Sequence, residues 1–154
     1  MKAQTTVEYI VIISIILVLA GLALGFISGS LDPNIAKQRS SLKYWETADI
    51  GIVSHQHEGS IFRMLVQNNL DHDISIKKIT LTNSYDTKEI NVGSVTLATS
   101  ETYAFNLTHA HDATRLGRNY EYDVIFTYTN PVTGSTYTFL GQAPIIGRVQ
   151  TQTS

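Results

Sequence analysis

The sequence predicts an α+β protein in which a long hydrophobic N-terminal helix precedes an antiparallel β domain. Two observations carry this prediction. The segment from Tyr9 to Ile27 contains no charged residue and a single polar side chain, Ser14. As a helix it would extend about 28 Å, close to the hydrocarbon thickness of a bilayer. From Asp49 onward apolar and polar residues alternate, which is typical of strands with one buried face. We therefore expect helix over residues 4–48 and a β head domain over residues 49–154.

The helical part is predicted to have two sections with a kink between them near residues 29–33. Gly29 weakens a helix, Asp32 is a good N-cap and Pro33 suits a first helical position, so a second helix should begin there. It should reach about Ala48 and be amphipathic, with its apolar stripe packed on the head domain. The apolar residues of that stripe are Ile35, Leu42 and Trp45.

Alternating apolar residues mark the strands of the head domain. The clearest runs contain Phe62, Met64 and Val66, and then Tyr120, Tyr122, Val124, Phe126 and Tyr128. The alternation shifts between Ile76 and Ile79, which predicts a bulge at Lys77–Lys78. Further strands are expected at Glu89–Val92, Val95–Ala98 and Tyr103–Leu107, and the NPVTGS segment should form a turn between two more. Seven or eight short strands favour a β-sandwich of the immunoglobulin-like type.

Composition excludes several classes of function. The chain has 154 residues, no cysteine, 16% charged residues and a net charge of −2, so it has no thiolate metal site and no basic surface for nucleic acid. It lacks a nucleophile elbow, a phosphate loop and a metalloprotease motif. We therefore expect neither enzymatic activity nor a cofactor.

Two His-x-His pairs, His55/His57 and His109/His111, are the strongest candidate metal ligands, and Asp112 adjoins the second pair. On a strand, residues two apart point to the same face, a spacing that metal sites use. Each pair still needs a third ligand brought close by the fold. Both pairs lie in polar sequence surroundings where histidine is ordinarily a surface residue, so we assign no metal.

One modification signal is present, the N-glycosylation sequon Asn106-Leu107-Thr108. If Tyr103, Phe105 and Leu107 face inward, Asn106 faces outward, where a glycan can be attached.

The apolar segment carries two further features. Gly21, Gly25 and Gly29 recur every four residues, so on a helix they share one face and allow another helix to approach closely. Glu8 stands immediately before the apolar run, which is unusual for an export signal and unfavourable beside a membrane span, although at the membrane interface its cost is modest.

The N-terminal sequence MKAQTTVEYIVI resembles the class III signal of archaeal type IV pilins. Those precursors have a short basic leader, then a Gln-x-Ser-x-Glu-x-x-x-Leu pattern that continues into an apolar helix. Here Ala3 replaces the commoner glycine, Thr6 the serine and Ile12 the leucine. The resemblance implies cleavage by a prepilin peptidase between Ala3 and Gln4, so residues 1–3 form the leader and Glu8 becomes the fifth mature residue.

The resemblance also implies a function. The protein is expected to be a structural subunit of an extracellular filament at the cell surface, anchored in the membrane before assembly. Expected partners are identical subunits, the prepilin peptidase, an assembly ATPase and a membrane platform protein. Assembly would depend on Gln4, Glu8, Gly21, Gly25 and Gly29. Glu8 would pair with the new N-terminal amine, or with backbone N–H groups of its own helix if Gln4 cyclises.

Two alternatives remain open at this level. One is a single-pass membrane-anchored surface protein whose β domain binds a ligand. The other is an archaeal flagellar filament subunit, although the Gln-x-x-x-Glu pattern favours the pilus. Adhesion, motility and DNA uptake are not distinguished by the sequence.

Overall fold

A computed structural model of the chain describes residues 11–20, 33–108 and 119–150. Contacts between Cα atoms divide the chain into two compact units, Met1–Ala36 and Lys37–Ser154. Among the described residues, every buried hydrophobic side chain lies in the second unit.

Two helices are described. Helix α1 covers residues 11–20, and helix α2 is Pro33–Thr47. The predicted start of the second helix at Pro33 is confirmed, and so is its end within one residue of Ala48. Proline suits the first position because its missing N–H has no partner in the first turn of a helix.

Eight strands follow α2 along the chain. They are β1 (Ile50–Glu58), β2 (Ile61–Asn68), β3 (Ile74–Thr82), β4 (Thr87–Leu97), β5 (Thr102–Leu107), β6 (Asn119–Thr129), β7 (Thr136–Leu140) and β8 (Ile145–Gln150). Their order across the sheet is β4-β3-β6-β8-β1-β2-β5, and β7 pairs with β6 beside this path. Most ladders are antiparallel, but β8 runs parallel to β1.

The predicted α+β class, with a long hydrophobic N-terminal helix followed by an antiparallel immunoglobulin-like sandwich, is wrong. The structure is mostly β, with 56% in strands, and the strands form one nearly closed, barrel-like sheet. The described residues contain two short helices and no long apolar N-terminal helix. Most of the kink predicted near residues 29–33 lies outside the described residues.

Strand β8 is the reason that the strands form one barrel-like sheet rather than a sandwich. Its residues pair with β6 on one side, through contacts such as Tyr122 with Ile145, and with β1 on the other, through His57 and Val149. This strand joins two groups of strands that would otherwise form separate sheets. Alternation of apolar and polar residues along a strand shows only that one face of the strand is buried. A sandwich and a barrel both bury one face of each strand.

The predicted bulge at Lys77–Lys78 is confirmed. Both ladders of β3 shift register between Ile76 and Lys78, the one with β4 and the one with β6. The two short strands predicted at Glu89–Val92 and Val95–Ala98 are halves of the single strand β4. Gly93 lies between them with a φ of 80°, a left-handed conformation that glycine adopts without steric strain.

Helix α2 packs on the barrel through one large side chain. Trp45 is 1% exposed, and its ring makes edge contacts with Phe126 on β6 and Phe139 on β7. The predicted apolar stripe is therefore correct for Trp45 and wrong for Ile35 and Leu42, which are exposed. The buried face is set by the side chains that meet the barrel, and these include Ser41 of α2 and Ala48, which directly follows the helix.

Polar contacts hold α2 along the connection from β7 to β8. The Gln142 backbone N–H donates to the Tyr44 hydroxyl at 2.9 Å, and the Ser41 hydroxyl donates to the Pro144 carbonyl. Earlier in the helix, the Lys37 ammonium lies 2.6 Å from the Glu121 carboxylate. That ion pair is half exposed, so it adds about 1 kcal/mol at most. The fixed position of α2 comes mainly from Trp45 and the hydrogen bonds near it.

Candidate functional site

The residues predicted to direct processing and assembly lie outside the described part of the chain. They are Ala3, Gln4, Glu8, Gly21, Gly25 and Gly29. The apolar segment of residues 9–27, which contains Gly21 and Gly25, is described over α1 alone.

Helix α1 exposes large apolar side chains on every side. Each of them is 40–67% exposed, and they occupy eight of its ten positions: Val11, Ile12, Ile13, Ile15, Ile16, Leu17, Val18 and Leu19. Full burial of such a side chain is worth about 1.5–3 kcal/mol, so covering the exposed part contributes on the order of 1 kcal/mol for each. A helix that is apolar all round is stable where an apolar environment surrounds it. Helix α1 is therefore a candidate surface for contact with lipid or with other apolar helices.

Among the residues that the structure describes, none forms a helix of the length and hydrophobicity that crossing a membrane requires.

Asn106 lies where a glycan can reach it. It is exposed on β5 between two buried neighbours, Phe105 and Leu107, and faces Arg63 of β2 across the ladder. The expected inward direction is confirmed for Phe105 and Leu107. Tyr103 shares their face in the unbroken β2–β5 register, but it is 44% exposed.

His55 and His57 lie in an aromatic cluster, so the expectation of polar surroundings is wrong for this pair. His57 is fully buried, and its ring lies 5.6–5.9 Å from the rings of Phe62, Tyr120 and Tyr122. The His55 Nδ1 atom is 2.7 Å from the Tyr120 hydroxyl, a hydrogen-bond distance. We call His55, His57, Phe62, Tyr120 and Tyr122 the histidine–tyrosine cluster.

Burial sets the protonation of this cluster. It lowers the pKa of His55, because the imidazolium is the form that loses hydration. It raises the pKa of Tyr120 and of Tyr122, since the phenolate is the form penalised there. At neutral pH the cluster therefore holds a neutral imidazole against a protonated phenol. That pairing suits a packed core better than acid–base chemistry, which needs a group that titrates near the working pH.

Within the described ranges, no group of three His, Cys, Asp or Glu side chains is placed to bind a metal ion. The second histidine pair, His109 and His111, and the adjoining Asp112 lie outside those ranges.

Sequence reasoning missed the histidine–tyrosine cluster because register is not visible in the sequence. His57 faces Phe62 and His55 faces Met64 across the β1–β2 ladder, and residues paired in this way share a face of the sheet. The β1–β2 pairing shifts register between Ile52 and Ser54. Before the shift, isoleucines occupy the inward-facing positions of β1, and after it histidines occupy them. The tight turn between Glu58 and Ile61 was the one available signal, because it fixes that pairing.

No protein-family model matches this chain, and no curated protein matches it either.

Proposed function

We propose that this protein is a structural subunit of an archaeal type IV pilus that polymerises through its apolar N-terminal segment. The support is the N-terminal sequence from Lys2 to Ile12, which resembles a class III signal, together with the properties of the segment that follows. The mostly β architecture is not part of this support, because it differs from the α+β fold expected of a pilin.

The observation that carries the proposal is the exposed apolar surface of α1. Its large side chains are 40–67% exposed, whereas the β domain has a hydrophobic core of its own. Under this proposal the apolar N-terminal segment occupies two apolar environments, one before assembly and one after it. The bilayer surrounds it before assembly, and identical segments of other subunits surround it in the filament.

The β domain then forms the outer surface of the filament. Its buried polar and aromatic groups are used in packing, as in the histidine–tyrosine cluster, so we assign it no catalytic role and no cofactor. The proposed partners are identical subunits, the prepilin peptidase, the assembly ATPase and the platform protein. The proposed location is the cell surface, with membrane anchoring before assembly.

The decisive experiment is electron microscopy of sheared cell-surface material, with mass spectrometry of the filament subunit. The proposal predicts filaments that contain this chain with Gln4 as the first residue. A chain that stays in the membrane fraction as a single species would favour the surface protein with a ligand-binding β domain. Loss of swimming on deletion would favour the flagellar filament, and a mature protein beginning near Phe26 would show an ordinary signal peptide and refute the proposal.

A further inference from the structure

Strand β7 has one paired edge and one open edge. It pairs with β6 and with no other strand among the described residues. Two hydrogen bonds fix which backbone groups face β6: Gly141 N–H donates to the Val124 carbonyl at 2.9 Å, and Asn130 N–H donates to the Ser135 carbonyl at 3.0 Å. In an antiparallel ladder the hydrogen-bonded pairs alternate, so every second residue of β7 points its N–H and C=O away from β6. The outward residues are Thr136, Thr138 and Leu140.

This open edge lacks three of the devices that normally prevent a strand from pairing further. Sheet edges are usually protected by charges, prolines or bulges. No charged residue occurs from Val124 to Gly147, and β7 itself contains no proline and no register shift. The edge strand β4, in contrast, carries Lys88 and Glu89.

The open edge is accessible and has a defined end. Thr136 and Thr138 are exposed, and Leu140 is 62% exposed. Beyond Leu140, the Gln142 N–H is already bonded to the Tyr44 hydroxyl of α2. The segment available for pairing is therefore β7 itself, Thr136–Leu140.

We propose that the occupant of this edge is β7 of a second copy of the chain, paired antiparallel about a two-fold axis through Thr138. In that register Thr136 faces Leu140 of the other copy, and the two Thr138 residues face each other. Each outward residue meets an outward residue, so the three facing positions exchange about six backbone hydrogen bonds. A charged strand paired with itself would set like charges opposite each other, and β7 has none. The edge is thus complementary to itself.

The symmetry of this contact determines which copies of the chain it can join. A two-fold contact uses the same surface on both copies and closes after two. Subunits within one polar filament are related by a screw operation and cannot repeat such a contact. If the proposed function is correct, β7 pairing joins subunits of two neighbouring filaments side by side.

The test uses the full chain in detergent micelles and takes advantage of its lack of cysteine. Thr138→Cys places one thiol at the two-fold axis, where a hydrogen-bonded pair of Cα atoms is about 5.5 Å apart, within the range of a disulfide. Thr136→Cys is the matched control, because the two copies of residue 136 are about 14 Å apart in this register. We expect an oxidised dimer from Thr138→Cys and a monomer from Thr136→Cys. Equal yields from the two variants, or no dimer from either, would overturn the proposal.

Two further substitutions block the contact without touching the ladder to β6. Thr138→Pro removes an N–H that points outward, and proline is tolerated at such positions on edge strands. Thr138→Lys sets two like charges face to face. Each should weaken dimerisation of the otherwise unchanged chain about tenfold or more in sedimentation experiments, with near-wild-type circular dichroism. Val132→Lys, in the 87% exposed position of the neighbouring turn, is the control for added charge. Dimers of wild-type affinity in the proline and lysine variants would refute β7 pairing.

Failure of this inference is distinguishable from failure of the proposed function. Cross-linking at residue 138 is measured on detergent-solubilised chain and needs no filament. Filament formation is scored separately by electron microscopy, where Thr138→Lys should leave single filaments intact and reduce their side-by-side association. Side-by-side association at the wild-type level in Thr138→Lys would contradict the pairing even when single filaments form normally.

Discussion

Replacement of Trp45 by alanine should remove the main contact that fixes α2 to the β domain. The side chain is 1% exposed, and its ring lies 5.1 Å from that of Tyr44, 6.5 Å from Phe126 and 6.4 Å from Phe139. Burying an indole of this size removes about 200 Å² from water, worth about 5 kcal/mol at 25 cal/mol per Å². Measured losses for tryptophan-to-alanine changes in cores are about 3–5 kcal/mol, which agrees with this estimate.

A loss of this size is a large part of the free energy of unfolding, which is about 5–15 kcal/mol for a domain. At about 4 °C per kcal/mol, Tm should fall by about 12–20 °C. Urea unfolding of the full chain in detergent, followed by near-ultraviolet circular dichroism of the tyrosines, measures the change. Tryptophan fluorescence is not usable for the variant, because Trp45 is the one tryptophan in the chain.

Two matched variants test whether the loss of stability comes from the buried Trp45 side chain. Leu42→Ala lies on the same helix at a 39% exposed position and should cost less than about 1 kcal/mol. Trp45→Phe should be intermediate, since the indole Nε1 has no hydrogen-bond partner among the described residues and only volume is lost. Unfolding of Trp45→Ala at the same urea concentration as Leu42→Ala would show that α2 does not contribute to the core.

A double-mutant cycle tests the contact itself. A Cβ built on Gly141 would overlap the Trp45 ring and would lie 3.0 Å from the Val124 carbonyl, so Gly141→Ala should destabilise the protein by about 1–3 kcal/mol. In the Trp45→Ala background the same change should cost less, because the ring that it would strike is gone. Additive costs would argue against direct packing of the indole on Gly141.

Other expected outcomes concern the domain boundary, pH, glycosylation and assembly. A fragment of residues 37–150 should unfold at a higher urea concentration than one of residues 49–150, which lacks Trp45; equal midpoints would contradict this. The free energy of unfolding should fall as the pH drops below about 6.5, because burial lowers the pKa of His55 and the unfolded chain then binds more protons. His55→Phe should make the free energy of unfolding less dependent on pH. An unchanged pH dependence in this variant would exclude His55 as its source. If Asn106 is glycosylated, Asn106→Gln removes a glycan mass from the native subunit, whereas Asn83→Gln, which lies outside any sequon, leaves the mass in place. Glu8→Leu and Gly25→Leu should be cleaved at Gln4 yet fail to form filaments, whereas Glu8→Asp keeps partial function; filaments of normal abundance from either leucine variant would defeat the assigned role.

The sequence by itself determined the local structure of the β domain. Alternation predicts the buried residues of β2 and β6, the shift of parity predicts the bulge beside Lys77, and the proline and glycine of NPVTGS predict the β6–β7 turn. Pro33 predicts the start of α2. Each of these depends on residues within a few positions of one another, because strand parity, turn conformation and helix capping are short-range effects.

Only the tertiary structure decided which strands are neighbours and what meets on each face. The same alternation of apolar and polar residues is compatible with a sandwich and with a barrel. The pairing of β8 with both β6 and β1 determines which of the two forms, and β1 is distant from β8 in the sequence. Likewise, Trp45 and Leu42 are both apolar residues of α2, yet Trp45 alone of the two meets Phe126 and Phe139. The histidine–tyrosine cluster exists because β1 and β6 place their side chains on one side of the sheet. Such contacts join residues separated by dozens of positions, and a pattern read along one strand does not contain the register that brings them together.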